Sequence, residues 1–186
     1  AEAIPAALHG EQIDALWTSR AQRTQETVAP LAYHLGLQPQ ALVGAHEIQA
    51  GELEKRTDPD SVHAYLTLMG DWADGELDRR VPGGESGHEV LARYDESVRE
   101  IEASGVDTAV LVSHGAIIRF WTYQRADNIK DSDLHAQPLP NTGIVVLEGD
   151  SDSGWTVVSW LGTALAGTGP DDPDPYDGPT GHPFED

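Results

Sequence analysis

The chain has 186 residues, 39% of them hydrophobic, enough for the core of one domain and too few for a second domain of ordinary size. Its formal charge is -21 and its only lysines are Lys55 and Lys130, so it offers nucleic acid or anionic lipid no basic surface, and the surplus acids read as a solvated acidic face. It contains no cysteine, which excludes disulfides, thiolate metal sites and a cysteine nucleophile; it lacks a membrane-length apolar run, and the composition is compatible with a cytoplasmic location.

The opening AEAIPAALHG carries apolar residues at Ala3, Ile4, Ala7 and Leu8 and stops at Gly10. The pattern is helical, has no N-cap before it, and reads as the second half of a helix begun upstream. Residues 13–18, IDALWT, form a short apolar run typical of a buried strand, and residues 20–36 follow as a helix, kinked or restarted at Pro30. A further helix is expected over 58–73, with Val62, Tyr65, Leu66, Leu68 and Met69 as its apolar positions. From Gly87 to Ala103 the signal is clearer, because Val90, Leu91, Tyr94, Val98 and Ile101 recur at spacings of three and four. Thr108 to Ser113 reads as a strand, 115–125 as the next helix, and Gly143–Glu148 and Trp155–Leu161 as strands joined by the turn-rich GDSDSG. Alternating strands and helices predict an α/β domain over 1–165, with a mostly parallel sheet covered by helices on both faces. Residues 166–186, rich in acids, Pro and Gly and without Lys or Arg, read as a loose tail, with Tyr176 and Phe184 available to pack on the domain.

In open α/β sheets function gathers at the carboxyl ends of the strands. VLVSHGAIIR puts His114 at such an end, and the first amides of the next helix, near Gly115, form an anion site that a glycine lets a ligand approach closely. Taken alone, His114 could equally cap the strand. TSRAQRTQET puts Ser19 at the end of the first strand and Arg20, Arg23 and Thr27 in the following helical turns, with Arg23 and Thr27 on one face, and an arginine there can clamp an anion bidentately. Ser86 and Asn141 are secondary candidates for the pocket rim; Ser86 serves as well as an N-cap, Asn141 as a turn residue. Tyr65, Met69 and Trp72 could line an apolar wall or belong to the core. A serine hydrolase built on Ser113 fails, because Leu111 and Val112 precede it where G-x-S-x-G is required. The histidines at 34, 46, 63, 88, 135 and 182 show no metal-ligand spacing, and no cofactor is implied.

SRAQRTQET, LVGAHEIQAGELE, VPGGES, LVSHGAIIR and LPNTGIVVLE, in that order, resemble the histidine phosphatase superfamily, which includes the phosphoglycerate mutase-like phosphatases. The resemblance implies a phosphoglycerate mutase-like fold and a phosphohistidine mechanism on a small phosphorylated substrate. In it Arg23 and His114 hold the phosphoryl group, with amides near Gly115 assisting, and Glu47 is the general acid and then the base. Lys55 stands where the family often has a glycine. The family's Arg-His-Gly motif, whose histidine is the nucleophile, is not found here. His9 is a poor substitute: Leu8 replaces the arginine, the preceding segment is helical, and Arg23 follows too closely. The first strand and nucleophile are therefore expected upstream of Ala1, on roughly 30 to 40 further residues. The fairly short stretch from Glu47 to Gly83 favours phosphomonoester hydrolysis over mutase chemistry. The alternative is a non-catalytic phospholigand-binding or regulatory domain. A homodimer is compatible with the sequence.

Overall fold

A computed structural model of the chain describes residues 1–130, 139–161 and 163–164. Its centre is β1 (Ala15–Ser19), the middle strand of a parallel sheet ordered β2-β1-β3, with β2 at Gln40–Leu42 and β3 at Ala109–Val112. Successive side chains of a strand face opposite sides, and β1 uses this to serve two cores. Leu16 enters a cluster with Ile4, Val28 and Leu31, from the single-turn α1 (Ile4–Ala7) and from α2 (Gln22–Leu35). Trp17 enters the larger cluster on the other face, with Leu68, Trp72, Val90, Tyr94, Ile117 and Phe120 among its members. That face is covered by α3 (Pro59–Ala73), α4 (Gly87–Ala103) and α5 (Gly115–Arg125). β3 repeats the division, Val110 and Val112 packing on the first cluster and Leu111 on the second. The sheet is thus parallel and clothed on both faces, as the alternating pattern implies.

Local chemistry sets the helix limits. Asp58 caps α3 by accepting the Ser61 N–H, with Pro59 just inside. α2 runs through Pro30 as one element and ends at Gly36, whose φ of 69° is left-handed. On α4 the spaced apolar positions become the buried face, with Val90 fully enclosed and Leu91, Tyr94 and Val98 nearly so. Trp72 of α3 and Phe120 of α5 meet with ring centroids 5.0 Å apart, so the apolar positions of these helices build core.

The C-terminal strands pair differently. β4 (Val145–Asp150), β5 (Gly154–Trp160) and β6 (Thr163–Ala164) form a second, antiparallel sheet ordered β4-β5-β6. It is tied to the end of α5 by the Asp127 N–H on the Trp155 carbonyl (2.9 Å) and by the Asn128 side chain on both polar backbone groups of Val157. Among the described residues no helix is long and apolar enough to cross a membrane. The expected tail at 166–186, with Tyr176 and Phe184, and the histidines at 135 and 182 lie outside the described residues.

Among the described residues three non-glycines, Lys55, Thr142 and Leu161, have left-handed φ. Lys55 sits at φ 60°, a left-handed conformation that costs a side-chain-bearing residue about 1–2 kcal/mol and glycine almost nothing. Lys55→Gly is expected to raise the unfolding free energy by roughly 0.5–1 kcal/mol, the gain being reduced by the extra freedom of an unfolded glycine. A denaturant titration with unchanged slope and a higher midpoint is the expected observation.

Candidate active site

β1 and β3 are adjacent and parallel, with Thr18 opposite Val112, so both end on the same side of the sheet. The next residues on each are Ser19 and, after Ser113, His114. His114 is 6% exposed and occupies the N-cap of α5. The Arg23 Nε and Nη2 lie 3.1 and 2.7 Å from its Nδ1, and the Ser19 Oγ lies 2.8 Å from its Nε2. A guanidinium can only donate, so Nδ1 is the acceptor and a neutral ring carries its proton on Nε2, directed at Ser19. Ser19 Oγ also accepts from the Ala21 N–H at 3.2 Å and lies 2.8 Å from Thr24 Oγ1. Burial, followed by the positive charge of Arg23, lowers the His114 pKa from its ordinary value to about 4. The imidazole is therefore neutral at physiological pH and oriented from both sides.

Glu47 comes to the same place from the loop after β2. Glu47 is half-buried, and its carboxylate accepts three backbone N–H groups, from Ile48 at 2.9 Å, Ala116 at 3.2 Å and Ile117 at 3.0 Å. Two of these are first-turn amides of α5, a favourable environment for a negative charge. Burial nevertheless dominates and raises the Glu47 pKa above the usual carboxylate range, against the opposing pull of the amides and Arg23. The amides assigned from sequence to an incoming phosphoryl group are thus occupied here by the chain's own acid. Tyr65 of α3 and Tyr94 of α4 feel the Glu47 charge, and burial raises both phenols, Tyr94 to about 12. Of the three residues proposed for a pocket wall, Tyr65 lies within electrostatic reach of Glu47, Trp72 is core, and Met69 packs against that core.

The GGES loop lies against the acid-bearing segment. Glu85 and Gln49 exchange backbone hydrogen bonding, the Glu85 N–H donating to the Gln49 carbonyl at 3.1 Å and the Gln49 N–H to the Glu85 carboxylate at 2.9 Å. A Cβ on Gly51 would meet the Gly84 nitrogen and Pro82 oxygen at 2.3 Å, so glycine is needed for this contact. Ser86 is 3% exposed and caps α4 in a reciprocal pair with Glu89. Ser86→Ala is expected to lower the unfolding free energy by about 1 kcal/mol, read from chemical denaturation. Asn141 is exposed in a turn, though the preceding Leu139 carbonyl lies 3.6 Å from where a Gly115 Cβ would be. His88 is exposed, 3.7 Å from Asp78. His9 is exposed beyond α1, and the adjoining Leu8 packs with the α1–α2 cluster. The described residues contain no group of three or more His, Asp or Glu placed to hold a metal.

A sequence model of the histidine phosphatase superfamily, branch 1, matches residues 1–163. The chain belongs to the histidine phosphatase superfamily. Among curated proteins it is similar to the PE-PGRS family protein PE_PGRS11 of Mycobacterium tuberculosis, 35% identical over 163 residues that cover 79% of this chain and 28% of the relative. The chain therefore spans less than a third of that protein's length. Among solved structures it is similar to a mycobacterial glucosyl-3-phosphoglycerate phosphatase bound to inorganic phosphate, with a TM-score of 0.70 and 25% identity, covering 89% of this chain and 86% of that one. The α-ribazole phosphatase of Shigella flexneri shares the fold, with a TM-score of 0.65 and 14% identity over 91% of this chain and 83% of its own.

Within this histidine phosphatase domain, the fold brings Arg23, Glu47, His114 and Gly115 together, with Ser86 behind the loop as a cap. Sequence reasoning passed over Thr24, Glu85 and Arg93 and gave Ser19 only a place at the turn. The spacing of Ser19 and Thr24 across a strand-to-helix turn is a weak signal for that network, whereas Arg93, one polar residue on an amphipathic helix, carries none.

Proposed function

We propose that the protein hydrolyses small phosphomonoesters through a phosphohistidine intermediate. The observation that carries this reading is the convergence of Arg23, His114 and Glu47 at the carboxyl ends of β1 and β3. In the first step a histidine nitrogen attacks phosphorus, the ester P–O bond breaks, and protonated Glu47 gives its proton to the leaving oxygen. Arg23 and His114 stabilise charge on the non-bridging oxygens. In the second step water attacks the same phosphorus, Glu47 takes its proton, the P–N bond breaks, and inorganic phosphate leaves. The raised Glu47 pKa suits a group that must hold a proton and later accept one.

The nucleophile is assigned to a segment preceding Ala1. Supporting this, β3 is an edge strand of the described parallel sheet, its four apolar residues only partly covered, and β4 is an edge strand of the antiparallel sheet. Exposed apolar edges are ordinarily paired or protected, and a parallel strand added to β3 would end level with His114. Similarity to a glucosyl-3-phosphoglycerate phosphatase suggests a polar phosphorylated metabolite as substrate.

The test is to incubate the intact natural protein with a phosphorus-labelled monoester, quench in alkali and look for base-stable, acid-labile protein label, the signature of phosphohistidine. Turnover without such label, or anion binding without turnover, overturns the proposal; the second outcome identifies a binding domain. Sulfate, dianionic throughout the relevant range, is expected to bind with proton uptake between pH 5 and 7. There His114, with a pKa of about 4, is neutral in the free protein, and a sulfate that draws the Arg23 guanidinium off Nδ1 frees that nitrogen to take a proton beside the anion. Calorimetry in two buffers of different ionisation enthalpy measures that uptake.

A further inference from the structure

We infer that Arg93 of α4 is a positioning residue for the acid–base group, fixing the backbone that presents Glu47. This rests on the assignment of Glu47 above. Arg93 has five N–H donors, and five acceptors are in place for them. Nε and Nη2 form a fork on the Glu85 carboxylate at 2.7 and 2.9 Å. Nη1 donates to the carbonyls of Gly44 (2.7 Å) and His46 (2.8 Å), and Nη2 to that of Glu47 (3.2 Å). One side chain thus holds three carbonyls of the acid-bearing segment, those of Gly44, His46 and Glu47, together with the acidic residue of the GGES loop. Arg93 and Glu85 side chains are each 14% exposed, so the fork is shielded from water. Arginine suits this junction because its planar head is pre-organised for several acceptors, which an ammonium is not.

A second feature places the same segment from the backbone side. A Cβ on Gly44 would lie 2.2 Å from the Arg93 carbonyl oxygen and 2.5 Å from the Ser97 hydroxyl. Gly44 therefore lies directly on α4, three residues before the acid. Held from behind by α4, the Glu47 side chain reaches forward to the α5 amides. Releasing Arg93 lets the segment lift and water reach the carboxylate, without removing any group that touches substrate.

The groups facing Glu47 are Arg23 from α2, Tyr65 from α3 and Tyr94 from α4, with His46 beside it in the loop and Arg93 behind, while His114 at the α5 cap shares Arg23 with it. None is altered in Arg93→Lys except Arg93 itself. As general acid, Glu47 must be protonated in the free enzyme, so kcat/KM falls as pH rises through its pKa. If burial keeps that pKa high, opening the segment moves the fall to lower pH.

The test uses the intact protein with phenyl phosphate, whose leaving group needs a proton, and p-nitrophenyl phosphate, whose leaving group needs it far less. Arg93→Lys is expected to lower kcat/KM on phenyl phosphate by about 10- to 100-fold, with a much smaller loss of kcat/KM on p-nitrophenyl phosphate, because kcat/KM reports only the steps up to departure of the leaving group, and with the pH fall displaced downward. Glu85→Gln, which keeps the shape and removes the charge from the fork, is expected to show a weaker form of the same pattern and serves if Arg93→Lys does not fold. Equal losses on both substrates with the pH fall unmoved mean that Arg93 only supports the fold, and overturn the inference. If Glu47→Gln does not change the dependence on leaving group, the acid assignment fails first. If it does and neither the Arg93 nor the Glu85 variant follows, only the inference about Arg93 fails.

Discussion

Arg23→Ala in the intact protein is expected to lower kcat on p-nitrophenyl phosphate by about 10²–10³-fold, the loss typical of removing one preorganised donor to a charged transition state. Arg23 begins on an exposed position of α2 yet directs two guanidinium nitrogens at His114. It is therefore registered to the ring in the free protein and accessible to solvent-borne substrate. Arg23→Lys keeps the charge and loses the fork, so it is expected to recover only a small part of the loss. His114→Ala should cost a similar factor, and combining it with Arg23→Ala should cost less than the product of the two, because each residue places the other. Unchanged turnover in both single variants would remove these residues from the mechanism.

The second large effect concerns Glu47 and depends on substrate. Glu47→Gln retains the size of the side chain and one accepting oxygen, enough for the Ile48 and Ile117 amides but not for Ala116 as well, and it cannot deliver or take a proton in the reaction. General acid–base catalysis contributes about 10²–10⁴-fold, and the upper part of that range is expected for substrates with alkoxide leaving groups. With p-nitrophenyl phosphate the first step becomes nearly independent of the acid while the second still needs the base. A burst of nitrophenol followed by slow turnover is therefore expected, visible in stopped-flow absorbance. Burst amplitude near one equivalent, with a depressed steady rate, separates the two duties of a single carboxyl group. A steady rate equal to wild type would sink the assignment.

Much of the fold is legible because its signals are local. Asp58 before Pro59, Ser86 with Glu89, and Gly36 at a left-handed stop each fix a helix boundary within a few residues of chain. The α4 face is legible because five apolar residues share the helical period. The pairing of strands is not local. Nothing within β4 and β5 shows that they join an antiparallel sheet separate from β1 and β3, and β2, three residues at a sheet edge, is too short to produce a pattern. The site divides in the same way. His114 and Arg23 stand at strand ends, where α/β sheets gather function, so their placement follows from sequence order. Glu47 stands out only by resemblance, since its loop also carries Glu52 and Glu54. That its carboxylate would take the α5 amides, and that Arg93 would hold its backbone, depend on segments more than forty residues apart in the chain.

β3 carries a demand larger than its four residues suggest. Leu111 belongs to one apolar cluster, Val110 and Val112 to the other, and the strand then delivers His114 to Ser19 and Arg23. A slip of one residue against β1 would carry His114 about 3.3 Å along the strand and exchange the two faces. The same error would disable the site and expose leucine and valine to the wrong neighbours. A chain folded well enough to persist has therefore already set the register of Ser19, Arg23 and His114, and a stable but misaligned population has no core to sustain it.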